Sequence, residues 1–250
     1  YETYVEQAEI HVQRAHATRQ RLNQTHGIPT AMLAELDGYL AHAERQIDQI
    51  RRRVLQDETI PHGEKVFSIF QPHTEWISKG KAGVPVELGL RVAIVEDQHR
   101  FILHYQVMEK TTDDQIAVPL VEHTQTRFPT VKAMSFDKGF HSPANQNDLK
   151  QRLENVILPK KGRLSEADKT RESDPEFVRL RRQHSAVESA INALGVHGLD
   201  KCRDHGIDGF KRYVALAVVA RNIQRLGAVL REQEKQEADR RRRGQYKKAA

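Results

Sequence analysis

The chain has 250 residues, 38% hydrophobic and 30% charged, with 40 Lys and Arg against 34 Asp and Glu for a net charge of +6. That length accommodates one catalytic domain with insertions or two small domains, and the basic balance suits a phosphate-backbone partner without establishing one. Cys202 is the only cysteine, which excludes an internal disulfide framework and a cysteine-rich zinc site and fits a reducing, cytoplasmic compartment. The longest apolar stretch, Tyr213 to Ala220, is far short of the roughly 20 residues of a membrane span, and no signal peptide is visible, so no membrane partner is expected.

Helical character begins at Tyr1, with neither an initiator methionine nor a capping segment, and the chain reads as the back part of a longer one. Val5, Ala8, Val12, Ala15 and Leu22 fall on a 3,4 rhythm that Leu36, Leu40, Ala43, Ile47, Ile50 and Val54 resume after the break His26-Gly27-Ile28-Pro29. Residues 1–58 are therefore expected as an antiparallel helical hairpin. The period then changes. Val66 to Phe70 reads as a short strand, Val86, Leu88, Leu90, Val92 and Ile94 alternate with Glu87, Gly89 and Arg91, and Phe101, Leu103, Tyr105 and Val107 repeat the period of two after a polar link, giving an antiparallel meander. A helix from about Asp113 to Phe128 follows, then a strand Val131 to Phe136, a helix after Pro143 and a short strand Val156 to Leu158. Lys160 to Asp174 is expected as a polar loop and Pro175 as the start of another helix. A last helix from about Gly209 to Leu230 has a nearly all-apolar middle and is expected to be buried. Residues 231–250, with Arg240 to Arg243, read as a basic disordered tail. This order predicts an α/β domain over 59–230, a ribonuclease H-like mixed sheet flanked by helices.

The chemistry centres on Asp137-Lys138-Gly139-Phe140. A short strand that ends in an aspartate and breaks at a glycine presents a carboxylate at the carboxyl edge of a sheet, where α/β folds place ligands. A second carboxylate, Glu188, follows fifty-one residues later in the basic run Arg181-Arg182-Gln183-His184-Ser185-Ala186-Val187-Glu188. Phosphoryl transfer on DNA calls for two divalent ions about 3.5–4 Å apart, and hard Mg²⁺ or Mn²⁺ selects carboxylate oxygens. Taken singly, each acid has a plainer reading. An Asp before Gly is a common turn former, and a helical Glu is usually solvated or locally paired.

Three segments resemble the later blocks of bacterial insertion-sequence transposases of the DDE class, specifically the ISNCY-like group. They are Phe67 to Lys81, Asp137 to Phe140, and His184 to Glu188; the Gly198 to Arg203 run and Arg221-Asn222 resemble further blocks. The resemblance implies that Asp137 and Glu188 are the second and third catalytic, metal-binding acids of a DNA-cleaving and strand-transferring enzyme. It further implies Mg²⁺ or Mn²⁺ as cofactor, DNA as partner, a homo-oligomeric assembly and action at the bacterial nucleoid. The first acid of such enzymes lies on the first strand of the sheet, ahead of a helical insertion. Val66 to Phe70 contains no carboxylate, so that strand and its acid are expected upstream of Tyr1, and these 250 residues alone are expected to be inactive or nearly so. Glu75 is the one nearby substitute.

Basic residues around this cluster are candidate phosphate contacts: Lys79, Lys81, Lys160, Lys161, Arg181 and Lys201. Trp76, the only tryptophan, is expected in a core before a base stack. Of the thirteen histidines, His104, His123, His141, His184, His197 and His205 show no cysteine companions and no H-x₃₋₅-H pair on a convincing face, and Gly80-Lys81 is no phosphate loop. Two other readings remain open, a non-catalytic DNA-binding or oligomerising remnant of a transposase and a nuclease on the same fold.

Overall fold

The computed structural model of the chain describes residues 1–78, 83, 85–199 and 201–249; for 62, 184–189, 197 and 243–249 the backbone alone is described. It divides into two compact units, Tyr1–Leu90 and Arg91–Ala250.

In the first unit α1 (Glu2–Asn23) and α2 (Thr30–Ile50) form the expected antiparallel hairpin. The cross-links Glu9 to Arg51, His16 to Glu44 and Arg19 to Asp37 run in opposite directions along the two helices. Val5, Leu33, Leu40 and Ile47 are its buried residues. Val66 to Phe70 does not form the expected strand. The Val66 amide donates to the Gln49 Oε1 at 2.8 Å and the Phe70 ring meets Tyr39 edge-on at 5.4 Å, so the segment docks on α2 instead of pairing with another strand. The strands of this unit are β1 (Glu75–Ser78) and β2 (Val86–Gly89), antiparallel with Glu75 opposite Gly89. Trp76 departs from the core expectation: it is 51% exposed and leans on Phe67 at 5.9 Å, because a two-stranded ribbon has no second layer to bury it.

The alternation from Val86 to Ile94 is interrupted at Gly89, whose φ of 157° ends β2. Beyond it, in the second unit, β3 (Arg91–Glu96) pairs antiparallel with β4 (Ile102–Met108). Ala93, Val95 and Met108 pack against α3 (Asp113–Arg127), while Val92, Ile94, Ile102 and Val107 pack on the opposite face against the end of α6 (Pro175–Leu194) and against α7 (Gly206–Ala249). Strand periodicity thus builds one layer with helices on both sides. A second sheet, β5 (Ala133–Ser135) parallel to β6 (Asn155–Ile157), rests on α3 and on α4 (Pro143–Arg152). Met134 and Phe140 touch both core clusters, so the two small sheets share α3 as a common wall.

Three stretches of this unit differ from expectation. The polar segment after β6 contains a helix, α5 (Glu166–Ser173), because Ser165 caps it: its hydroxyl accepts the Asp168 amide at 3.2 Å and Asp168 reaches back to the Ser165 amide at 3.1 Å. Residues 231–249, expected as a disordered tail, continue α7; they are rich in strong helix formers and carry an i,i+4 pair, Glu237 with Arg241. The middle of α7 is not fully buried. Val214, Ala217 and Val218 face the core, but Leu216, Val219 and Ile223 are 67%, 52% and 65% exposed. By length and composition alone Gly206–Arg242 could cross a membrane; its docking through Val214, Ala217 and Val218 is that of a helix on a protein core.

Candidate active site

Asp137 stands where a parallel pair of strands ends. The Phe136 amide donates to the Ile157 carbonyl at 2.9 Å, which extends the β5–β6 pairing by one residue, and the Phe136 side chain is buried. Asp137 is extended and exposed. Its Oδ1 accepts the Lys138 amide at 2.7 Å, starting the 3-10 turn Lys138–Phe140. Asp137 is therefore both the turn former of the plain reading and a carboxylate presented at the sheet edge.

Asn145, on α4, fixes this turn. It is buried, and its Nδ2 donates to the Phe140 carbonyl at 2.8 Å and to the Asp114 carbonyl at 2.6 Å, tying the loop after Asp137 to the first turn of α3. That first turn supplies the neighbour that the sequence reading missed. Asp113 lies against Gly139 so closely that a Cβ there would meet its Cγ at 3.3 Å and its Oδ2 nearer still. Burial pushes the Asp113 carboxyl above its ordinary range; the Arg91 guanidinium, 3.8 Å away, pulls it down, the charges of Asp137 and Asp114 push it further up, and Lys161 opposes them. Asp113, Asp137, Arg91 and Lys161 thus share one electrostatic neighbourhood. An acidic pair Asp113-Asp114 after a capping Thr112 was visible in the sequence, but it reads there only as a helix start.

Glu188 belongs to α6, which packs on β5 and β6, so the helix that carries it lies against the strands leading to Asp137. Its side chain lies outside the described residues. Glu75 sits in the first unit, half-buried at the start of β1 instead of in a loop. Lys79 and Lys81 lie outside the described residues. Lys160 is held by Asp168, and its amide donates to Glu172 at 2.7 Å, so this lysine is part of the α5 anchorage. Lys161 and Lys201 are exposed; Arg181 is exposed and 3.8 Å from Glu172. Among the described residues no three His, Cys, Asp or Glu side chains converge as a metal cage. The oxygen donors near Asp137 are right for a hard cation but incomplete by themselves.

Searches of curated proteins and of solved structures find no match. A family model described as a transposase DDE domain matches residues 48–223, more than half of the chain, and includes both Asp137 and Glu188. On that match, with an acid at the edge of a parallel strand pair and a second acid on the helix packed against it, this chain belongs to the transposase DDE domain family.

Proposed function

We propose that this chain is the catalytic portion of an insertion-sequence transposase of the ISNCY-like group, on a ribonuclease H-like framework. It hydrolyses a DNA strand at the element end and passes the freed 3′-hydroxyl to target DNA. Asp137 and Glu188 would hold Mg²⁺ or Mn²⁺, whose chemistry when bound would be to activate the attacking water or 3′-hydroxyl and stabilise the leaving oxygen. Residues 1–58 are a helical insertion and 59–230 the catalytic domain, acting in the cytoplasm at the nucleoid. Lys161, Arg181 and Lys201 are the described basic candidates for holding the phosphate backbone, with Lys79 and Lys81 beyond them.

The observation that carries this reading is the family match together with the position of Asp137. The sheet supports a further element. Among the described residues β3 pairs only with β4 and β5 only with β6, yet both pairs lie on α3 and meet at Met134 and Phe140. Ser135 Oγ, two residues before Asp137 on the same side of the strand, is buried without a hydrogen-bond partner. One additional strand between β3 and β5 would join the two sheets, and a carboxylate at its end would complete the acid set beside Asp137. Without it, these residues are expected to cleave DNA weakly or not at all.

The test is metal-dependent cleavage and joining of an element-end duplex by a protein that includes such a strand. Asp137→Asn and Glu188→Gln should each abolish both steps. Wild-type activity in either variant removes the site assignment; cleavage without joined products favours a nuclease, and DNA binding without either step favours the non-catalytic remnant.

A further inference from the structure

We infer that α7 is an antiparallel dimerisation helix, pairing with α7 of a second copy of this chain through the face it turns away from its own core. Leu216, Val219, Ile223, Leu226 and Leu230 are exposed by 67%, 52%, 65%, 49% and 48%. Their spacing of 3, 4, 3 and 4 residues is that of a two-helix seam. The seam is placed unusually for a surface helix. Its first three residues lie on the half of α7 docked to β3–β4, and its last two on the half beyond Arg225, the last residue with a described side-chain bond to the hairpin. Only a partner helix running along both halves would cover it.

Charge selects the direction and the register. A parallel pair would set Arg240, Arg241 and Arg242 against their own copies and Glu237 against Glu237. An antiparallel pair centred between Ile223 and Leu226 sets Ile223 on Leu226 and Val219 on Leu230. It then brings Arg212 opposite Glu237 and Asp208 opposite Arg241, at both ends by symmetry. Arg212 already meets Asp204 at 3.0 Å and Arg241 meets Glu237 at 3.8 Å, but Arg212, Glu237 and Arg241 keep 65%, 65% and 81% of their side-chain surface exposed, so each can take a partner across the seam beside the one it has. The neighbouring antiparallel register, centred on Arg221, also joins apolar layers but opposes Lys211 to Arg231 and Asp208 to Glu234. The seam from Asp208 to Arg241 is about 50 Å long. A strip about 10 Å wide along it covers of the order of 500 Å² per copy, below the roughly 800 Å² of a standard interface. The expected dimer is therefore reversible in the micromolar range.

Sedimentation equilibrium of the 250-residue chain from about 1 to 200 µM tests this. A concentration-dependent dimer is expected, and Ile223→Glu with Leu226→Glu, which sets like charges against each other on both sides of the dyad, should leave it monomeric with an unchanged circular dichroism spectrum. Arg212→Glu should raise the dissociation constant at least tenfold, and adding Glu237→Arg should restore it, which only the antiparallel register allows. With Cys202→Ser as background, Val219→Cys plus Leu230→Cys should oxidise to a disulfide-linked dimer, while Val219→Cys alone should not. A monomer at 200 µM, a dimer indifferent to the seam and charge variants, or cross-linking by Val219→Cys alone overturns the inference. So does seam-dependent binding of a monomeric chain to phosphatidylcholine–phosphatidylglycerol vesicles.

Discussion

Asn222 holds α7 to the β3–β4 hairpin through backbone alone. Its Oδ1 accepts the Ile102 amide at 2.9 Å and its Nδ2 donates to the Ile102 carbonyl at 2.9 Å, so one side-chain amide satisfies both main-chain groups of a residue that is 5% exposed. Asn222→Ala removes both bonds and leaves two backbone groups without partners. Each buried unsatisfied group costs about 1–3 kcal/mol, and water reaching the vacated site sets the lower end, so a total of about 2–4 kcal/mol is expected. The first assay is urea unfolding followed by circular dichroism, where the midpoint should fall with little change in slope. The second is amide exchange at Ile102, which should accelerate roughly 30- to 1000-fold by the same free energy. Asn222→Asp keeps the acceptor but sets a carboxylate oxygen against the Ile102 carbonyl. It should lose as much at neutral pH and recover part when protonated, because the acid then donates. A loss under about 0.5 kcal/mol in Asn222→Ala, with Ile102 still protected, would refute the clamp.

Three other outcomes follow from the same geometry. Gly139→Ala should cost about 1–3 kcal/mol by forcing Asp113 aside, and Asp113→Ala in the same chain should return most of it; additivity in that double-mutant cycle would refute the contact. Asn145→Ala should cost about 2–3 kcal/mol and speed proteolysis within residues 137–142, measured by unfolding and by mapping the cleavage sites. Burial pushes the Glu96 carboxyl up, more than Arg221 and Arg100 pull it down, and its Oε2 is buried without a hydrogen-bond partner. Between its ordinary and its raised pKa the folded state holds the extra proton, so stability falls as pH rises through that window. Glu96→Gln should therefore gain in stability relative to the parent as pH rises from about 4 to about 7.5; a difference that is constant with pH would refute this.

Elements with a clean period were legible in the sequence. The seam of α1 and α2, the alternation of β3 and β4, and the strand leading to Asp137 all follow from where apolar residues recur. Val66 to Phe70 was not, because a short apolar run pairs as a strand only if an edge is available, and here Gln49 and Tyr39 capture it first. The α7 expectation failed for a related reason: an apolar middle announces burial without saying by what. Within the site, Asp137 was marked by the glycine two residues on. The site roles of Asp113 and Asn145 were not legible, since both depend on a tertiary contact with the 138–140 turn, and Asp113 reads locally only as a helix start.

The common wall formed by α3 has a thermodynamic corollary. Two-stranded sheets are marginal alone, and here each borrows its stability from Ala117, Val121, Ile116 or Leu120 on one helix. Loss of α3 would therefore uncover an apolar face of both strand pairs at once. Substitutions that loosen α3 should accelerate deuterium exchange in the β3–β4 and the β5–β6 amides together.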